Sequence, residues 1–163
     1  MFAGQTDARS SKESCAAREL WPLSGDSPYD RAMAVIYEWR GEVDDAALGA
    51  LHAEGFGEPR TPAARVGRLR RHSLGWVCAW EAGRLVGFVN VAWDGGEHAF
   101  LLDTVVARSC RGRGVGTALA ARATEGARAA GCAWLHVDYE DRLDSFYTDA
   151  CGFRPTAAGL IAL

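Results

Sequence analysis

Lysine is almost missing from this sequence: Lys12 is the only one, so arginine carries nearly all of the positive charge. Arginine's planar fork suits phosphate and carboxylate wherever several cluster. The chain is not basic, since 18 Lys+Arg stand against 21 Asp+Glu for a net charge of −3. That balance argues against a nucleic-acid or membrane-surface binder. No apolar run reaches the roughly 18 residues of a transmembrane helix. The opening residues are polar and lack the apolar core of a signal peptide, so the cytoplasm is the expected location. There is no C-x-x-C and no Cys/His spacing suited to zinc. The five cysteines (Cys15, Cys78, Cys110, Cys132 and Cys151) therefore read as free, mostly buried thiols, and no metal is expected.

What is there is ordinary globular material. At 163 residues and 48% apolar composition, the chain fits a single domain with one substantial core. Residues 1–30 are rich in Ser, Asp, Glu, Arg, Gly and Pro and read as a flexible arm, with Trp21 and Leu23 as its anchors. The domain is expected over 31–163. Residues 33–39 read as a strand stopped near Gly41. Asp44 or Asp45 caps a helix that ends near Gly55, and Thr61-Pro62 starts another. Strands over 75–81 and 84–93 flank a tight turn, and a third runs from His98 to about Ala107. Helical spacing from Val115 to Ala130, a short strand over 133–139, a helix over 141–150 and a strand-like tail complete the order. This is an α/β chain with a mixed sheet: the hairpins give antiparallel pairs, while strand–helix–strand around Gly114 demands a parallel crossover.

The chemistry is carried by Val105-Val106-Ala107-Arg108-Ser109-Cys110-Arg111-Gly112-Arg113-Gly114-Val115-Gly116-Thr117. A strand ends, a glycine-rich loop follows and a helix begins. The first amides of a helix have no partner within it, and its dipole favours negative charge there. Glycines let a phosphate approach those amides, and Arg111 and Arg113 add charged donors. A dinucleotide fingerprint would need a third glycine, and a P-loop would need Gly-Lys-Ser/Thr; neither is present.

This stretch resembles the acetyl-CoA-binding motif of the GNAT superfamily of N-acetyltransferases, Arg/Gln-x-x-Gly-x-Gly/Ala, with Arg111, Gly114 and Gly116 at its fixed positions. Trp134-Leu135-His136-Val137 resembles the family's next strand, and Phe146-Tyr147 followed by Cys151-Gly152-Phe153 its Phe-Tyr…Gly-Phe motif. The resemblance covers about 32–160. It implies a central mixed, mostly antiparallel sheet of six to seven strands flanked by about four helices and splayed at the cofactor site. It implies acetyl-CoA as donor, held by Val105, Val106, Arg111, Gly112, Arg113, Gly114, Val115, Gly116 and Thr117. Two features depart from the family. Four residues, Thr148 to Cys151, separate Tyr147 from Gly152 where three are usual, which predicts an extra residue or bulge in that helix. Asp141 stands about where an Asn is common.

The resemblance also assigns roles. Tyr147 is the candidate acid for the coenzyme A thiolate, the alternative being a ring that packs with Phe146 and Phe153. An amide from about Thr104 to Val106 would polarise the thioester carbonyl. Asp103 is the candidate base, with Glu97, His98 or an ordered water as alternatives. Strand alternation sets Asp103 and His98 on opposite faces unless a bulge intervenes. Trp76, Trp80 and Trp93 are expected in the core, Trp39 at the acceptor cleft, and Arg65, Arg68, Arg70 and Arg71 on a solvated helix face. The expected activity is direct acetyl transfer to a primary amine of a small molecule. A protein N-terminus or lysine is the runner-up acceptor, and a non-catalytic acyl-CoA sensor is the rival reading. A homodimer through the apolar tail Leu160-Ile161-Ala162-Leu163 is compatible with the family.

Overall fold

The computed structural model describes residues 34–57 and 64–163. The expected arm at 1–30, with Cys15, Trp21 and Leu23, and the helix start at Thr61-Pro62 lie outside them. Five strands form one sheet in chain order: β1 (Ile36–Trp39), β2 (Ser73–Glu81), β3 (Arg84–Trp93), β4 (His98–Val106) and β5 (Trp134–Val137). The first four pair antiparallel, and β5 lies parallel to β4. Helices α1 (Asp45–Phe56) and α2 (Arg65–His72) join β1 to β2, and α3 (Val115–Ala129) is the crossover from β4 to β5.

The mixed, mostly antiparallel sheet expected from the sequence is present with five strands rather than six to seven. The difference lies at the C-terminal end. The strand expected over residues 152–163 holds no regular secondary structure. Its Thr156-Ala157-Ala158-Gly159 stretch has little of the β-branched or aromatic surface that stabilises a strand. In place of the helix expected over 141–150 there are a 3₁₀ turn at Asp141–Leu143 and a π-helical turn at Phe146–Ala150.

Local chemistry fixes the helices. The Asp44 carboxylate accepts the Ala47 N–H at 2.7 Å and caps α1. Gly57, at φ 71°, closes it two residues past the expected Gly55. The Asp45 carboxylate accepts the Val66 N–H at 2.8 Å and so ties the starts of α1 and α2 together. In α2, Leu69 is buried while Arg68, Arg70 and Arg71 stay exposed, as expected, whereas Arg65 is half-buried with its guanidinium 3.4 Å from His52 Nδ1.

The sheet separates two layers. α3 lies on one face, where a Cβ at Gly87 would meet Leu119 and Val115 at 3.0 Å, so the missing side chain permits the helix to sit close. α1 and α2 cover the other face, with the His52 ring 6.0 Å from Phe88. Buried Leu48, Leu51, Val77, Phe88, Val89, Val91, Leu101 and Leu119 make the core. Trp76 joins it, but Trp93 is exposed at the end of its strand and donates to the Gly96 carbonyl at 2.8 Å. The indole of Trp39 lies between Gly75 and Gly126, where a Cβ on either would collide with it. It fills a slot against α3 rather than the acceptor cleft expected of it, because only two glycines leave room for a six-membered ring there.

Candidate active site

Two irregularities in β4 create the site. Asn90 faces Leu102 and Phe88 faces Val105, so a single β3 residue opposes both Asp103 and Thr104. This is a β-bulge, and Asp103 takes a φ of 55° within it, a left-handed conformation that aspartate tolerates better than most residues. A bulge is thus present, at Asp103 itself, but neither Asp103 nor His98 is among the residues that line the adjoining cavity. The second irregularity is the parting of two strands. Pairing of β4 with β5 ends at Leu101 and Val137, while β4 continues to Val106. Beyond that point β4 presents a bare backbone edge to a gap.

Strand alternation identifies which groups face the gap. The Ala107 N–H donates to Val86 on β3, whereas the Val106 carbonyl accepts from Arg111 Nε at 3.1 Å, away from β3. A residue's N–H and C=O leave a strand on the same side, so the amides of Val106 and Thr104 point into the gap.

A cavity of about 460 Å³ opens there. Its floor is Thr104, Val105 and Val106; one wall is Arg111, Gly112, Gly114, Val115, Gly116 and Thr117; the other is Phe146, Tyr147, Arg142 and Leu143. The first helical bond of α3 runs from Ala118 N–H to the Gly114 carbonyl at 3.0 Å, and no side chain caps the helix. The amides of Val115, Gly116 and Thr117 are therefore free of intrahelical partners at the cavity they line. Gly112 and Gly114 adopt φ of 73° and 78°, and a Cβ on either would meet nothing, so the loop stays open to an approaching group. At Gly116 a Cβ would meet the Phe146 ring at 3.1 Å, so this glycine sets the spacing between the two walls.

Arg113, the second arginine of the loop, is placed differently. Its guanidinium binds Glu81 at 2.6 Å and reaches Cys110 Sγ at 3.5 Å, and it does not line the cavity. Hydrogen bonding from Arg113 holds the Glu81 carboxyl below the ordinary range. Arg142, which the sequence gave no reason to single out, lines the cavity opposite Arg111. It stands beside Asp141, and the only signal was its closeness to that family position.

Tyr147 is almost fully buried, with its ring against Tyr139 (4.9 Å), Phe146 (4.8 Å) and Phe153 (5.8 Å). The ring packs as the alternative reading expected, and the residue also lines the cavity. Burial raises its phenol above the usual 10.0, while a hydrogen bond from the Thr104 side chain works in the opposite direction. The group is thus a neutral O–H donor at physiological pH. The extra residue after Tyr147 is absorbed by the π turn, in which Cys151 N–H reaches the Phe146 carbonyl and Phe153 N–H the Tyr147 carbonyl at 2.9 Å.

The last turn of α1 forms the far rim. A Cβ on Gly55 would lie 2.3 Å from Val105 Cγ2, so the helix rests directly on β4 just past the bulge. Glu54 accepts the Arg108 N–H at 2.5 Å and fastens the same turn to the loop. Gly55 and Phe56 both line the cavity. The sequence marked Gly55 only as a helix end, because its close approach to Val105 is a long-range contact. His98 lies outside the cavity, its Nδ1 2.8 Å from Nε2 of His136. Glu97 is also outside, with its carbonyl accepting the Ala133 and Trp134 amides.

The Acetyltransferase (GNAT) family model matches residues 27–153. Serotonin N-acetyltransferase 2, chloroplastic, of Oryza sativa subsp. japonica is 34% identical over 109 residues, 64% of this chain and 54% of that protein. The chain thus spans about half the length of this curated relative. Among solved structures, an aminoglycoside N-acetyltransferase in complex with CoA superposes with a TM-score of 0.66 at 19% identity, covering 80% of this chain and 95% of that one. A Trypanosoma brucei acetyltransferase gives a TM-score of 0.66 at 23% identity, covering 79% and 99%.

Proposed function

This chain belongs to the acetyltransferase (GNAT) family, and we propose that it moves the acetyl group of acetyl-CoA directly to a primary amine of a small molecule. The observation that carries this reading is the uncapped start of α3 facing a cavity opened by the parting of β4 and β5. The residues present fit the donor. Three helix amides, two open glycines and the Arg111 guanidinium suit a pyrophosphate. The bare edge of β4 suits the amide-bearing arm of the coenzyme, which hydrogen-bonds like a neighbouring strand. Val105 and Val106 belong to that edge. Relatives whose names state small-molecule acceptors, serotonin and aminoglycosides, support the small-molecule class.

In the proposed reaction the gap-side amides of Thr104 and Val106 polarise the thioester carbonyl, as fixed donors that need no reorganisation. Asp103, or a water it orders, takes the proton that frees the amine lone pair. The nitrogen forms its bond to the acetyl carbon and releases its second proton to solvent while the carbon–sulfur bond breaks. Tyr147 gives its proton to the departing thiolate, and a proton from solvent restores the phenol. The phenol's raised pKa keeps that proton in place until the sulfur needs it.

The test is calorimetric titration of the protein with acetyl-CoA, coenzyme A and NADH, followed by thiol release with amine acceptors. Saturable binding of both CoA species but not NADH, with amine-dependent thiol release, is the expected outcome. Binding without release for any amine would favour an acyl-CoA sensor, and no binding would overturn the reading.

A further inference from the structure

We infer that the turn joining β2 to β3 is a clamp on the coenzyme loop, and that Glu81 is a positioning residue that sets the loop for the pyrophosphate by holding Arg113. The inference rests on the proposed transferase reading and adds to it a residue that acts from outside the cavity.

The loop needs such a hold. Gly112 and Gly114 both adopt left-handed φ, and a Cβ on either would meet nothing, so packing does not fix them. Glycine also has more conformational freedom to lose on ordering than any other residue. Arg113 is the residue between the two, so anchoring its side chain constrains the backbone on both sides. Its guanidinium, outside the cavity, donates to one Glu81 oxygen at 2.6 Å. The Glu81 side chain is only 12% exposed, so water screens the pair incompletely.

The same carboxylate grips the other flank of the loop. Cys110 is fully buried, and its Sγ donates to the second Glu81 oxygen at 3.5 Å while accepting from Arg113 Nη1 at 3.5 Å. Glu81, Cys110 and Arg113 thus close a ring of hydrogen bonds. Cys110 and Arg113 bracket Arg111 and Gly112, both of which line the cavity. Arg84 adds a further tie, its Nη2 donating to Ser109 Oγ at 2.9 Å.

Turn chemistry explains why this hairpin can act as a clamp. Glu81 and Arg84 are directly opposite each other across Ala82 and Gly83, whose φ values are 48° and 74°. Two central residues at positive φ make the tight turn that follows the twist of its strands. Residues paired in this way hold their Cβ atoms about 5 Å apart, so an acid and a base are presented side by side to the loop. Removing the Glu81 carboxylate separates two roles. A clamp loses coenzyme affinity, whereas a carboxylate that withholds Arg113 from the phosphates gains it.

The test is calorimetric titration of the full chain with acetyl-CoA, for the parent, Glu81→Ala, Arg113→Ala, their double variant and Glu81→Gln. We expect Glu81→Ala to raise the dissociation constant about fivefold, and Arg113→Ala to raise it by a similar factor. The double variant should lose no more than either single one, because the two residues act through one bond. Glu81→Gln keeps an acceptor oxygen for Arg113 and should recover part of the loss. A general loosening of the fold would produce neither the recovery nor the non-additivity. Parental or tighter binding by Glu81→Ala, or additive losses in the double variant, would overturn the inference while leaving the transferase reading intact. A parent chain that does not bind acetyl-CoA would overturn that reading and the inference with it.

Discussion

The amide of Cys151 donates to the carbonyl of Phe146 at 3.0 Å, closing a turn five residues long around Tyr147. An α-helix would make this bond to residue 147. The wider turn absorbs one extra residue and still leaves Tyr147 lining the cavity beside Thr104. Turns of this kind often occur at functional sites.

Tyr147→Phe keeps the ring and its three aromatic contacts but removes the proton. We expect kcat to fall about 10²-fold or more, within the range for loss of a general acid. The acetyl-CoA dissociation constant should change little. Stopped-flow thiol release and calorimetry check the two halves, and an unchanged kcat would remove Tyr147 from the mechanism.

Gly114→Asp introduces a side chain at φ 78°, together with a negative charge at the uncapped start of α3. Acetyl-CoA binding should be lost by calorimetry, while the far-UV circular dichroism stays close to that of the parent. Retained binding would show that the coenzyme lies elsewhere.

Arg142 and Arg113 provide a comparison within one chain. Arg142 lines the cavity, whereas Arg113 is engaged by Glu81. Arg142→Ala is expected to weaken acetyl-CoA binding more than Arg113→Ala does. The reverse order would mean that Arg113 exchanges Glu81 for a phosphate.

Gly55→Ala places a methyl group 2.3 Å from Val105 Cγ2, where one side must move. Overpacking of this kind costs about 1–3 kcal/mol. Urea denaturation should show the loss, and the double variant Gly55→Ala/Val105→Ala should recover part of it. Additive losses would mean the two residues are uncoupled.

Alkaline pH should act on stability through buried acids. Burial pushes the Cys78 thiol up to about 12 and raises the Tyr147 phenol above 10.0. Each group is neutral in the fold and ionises first in the unfolded chain, so raising the pH favours unfolding. Stability should be flat on this account below about pH 8 and fall from about pH 9, where an exposed thiol ionises. In kinetics, kcat/KM should rise with pH as the amine loses its proton, with no decline attributable to Tyr147 below pH 10. A descending limb near neutrality would require a different acid.

How much was legible beforehand differs between elements. Asp44 and the Arg111–Gly116 loop act through neighbours within a few residues, so a cap and an uncapped helix start were readable from spacing alone. The extra residue between Tyr147 and Gly152 was also visible, although only the structure shows it taken up as a π turn. Trp39 was misplaced because the slot that receives it is built by Gly75 and Gly126, which are distant in the chain and silent in any local pattern.

The sequence by itself determined the order of elements through β5, the parallel crossover at Gly114 and a glycine-rich, uncapped helix start, since hydrophobic period, turn residues and helix ends are short-range properties. Tertiary structure alone decided the number of strands and the point at which β4 leaves β5. It also decided that Arg113 turns to Glu81, that Arg142 joins the cavity, and that Gly55 lets α1 close over Val105. Each of these depends on which surfaces meet across the sheet, and a one-dimensional pattern does not hold that information.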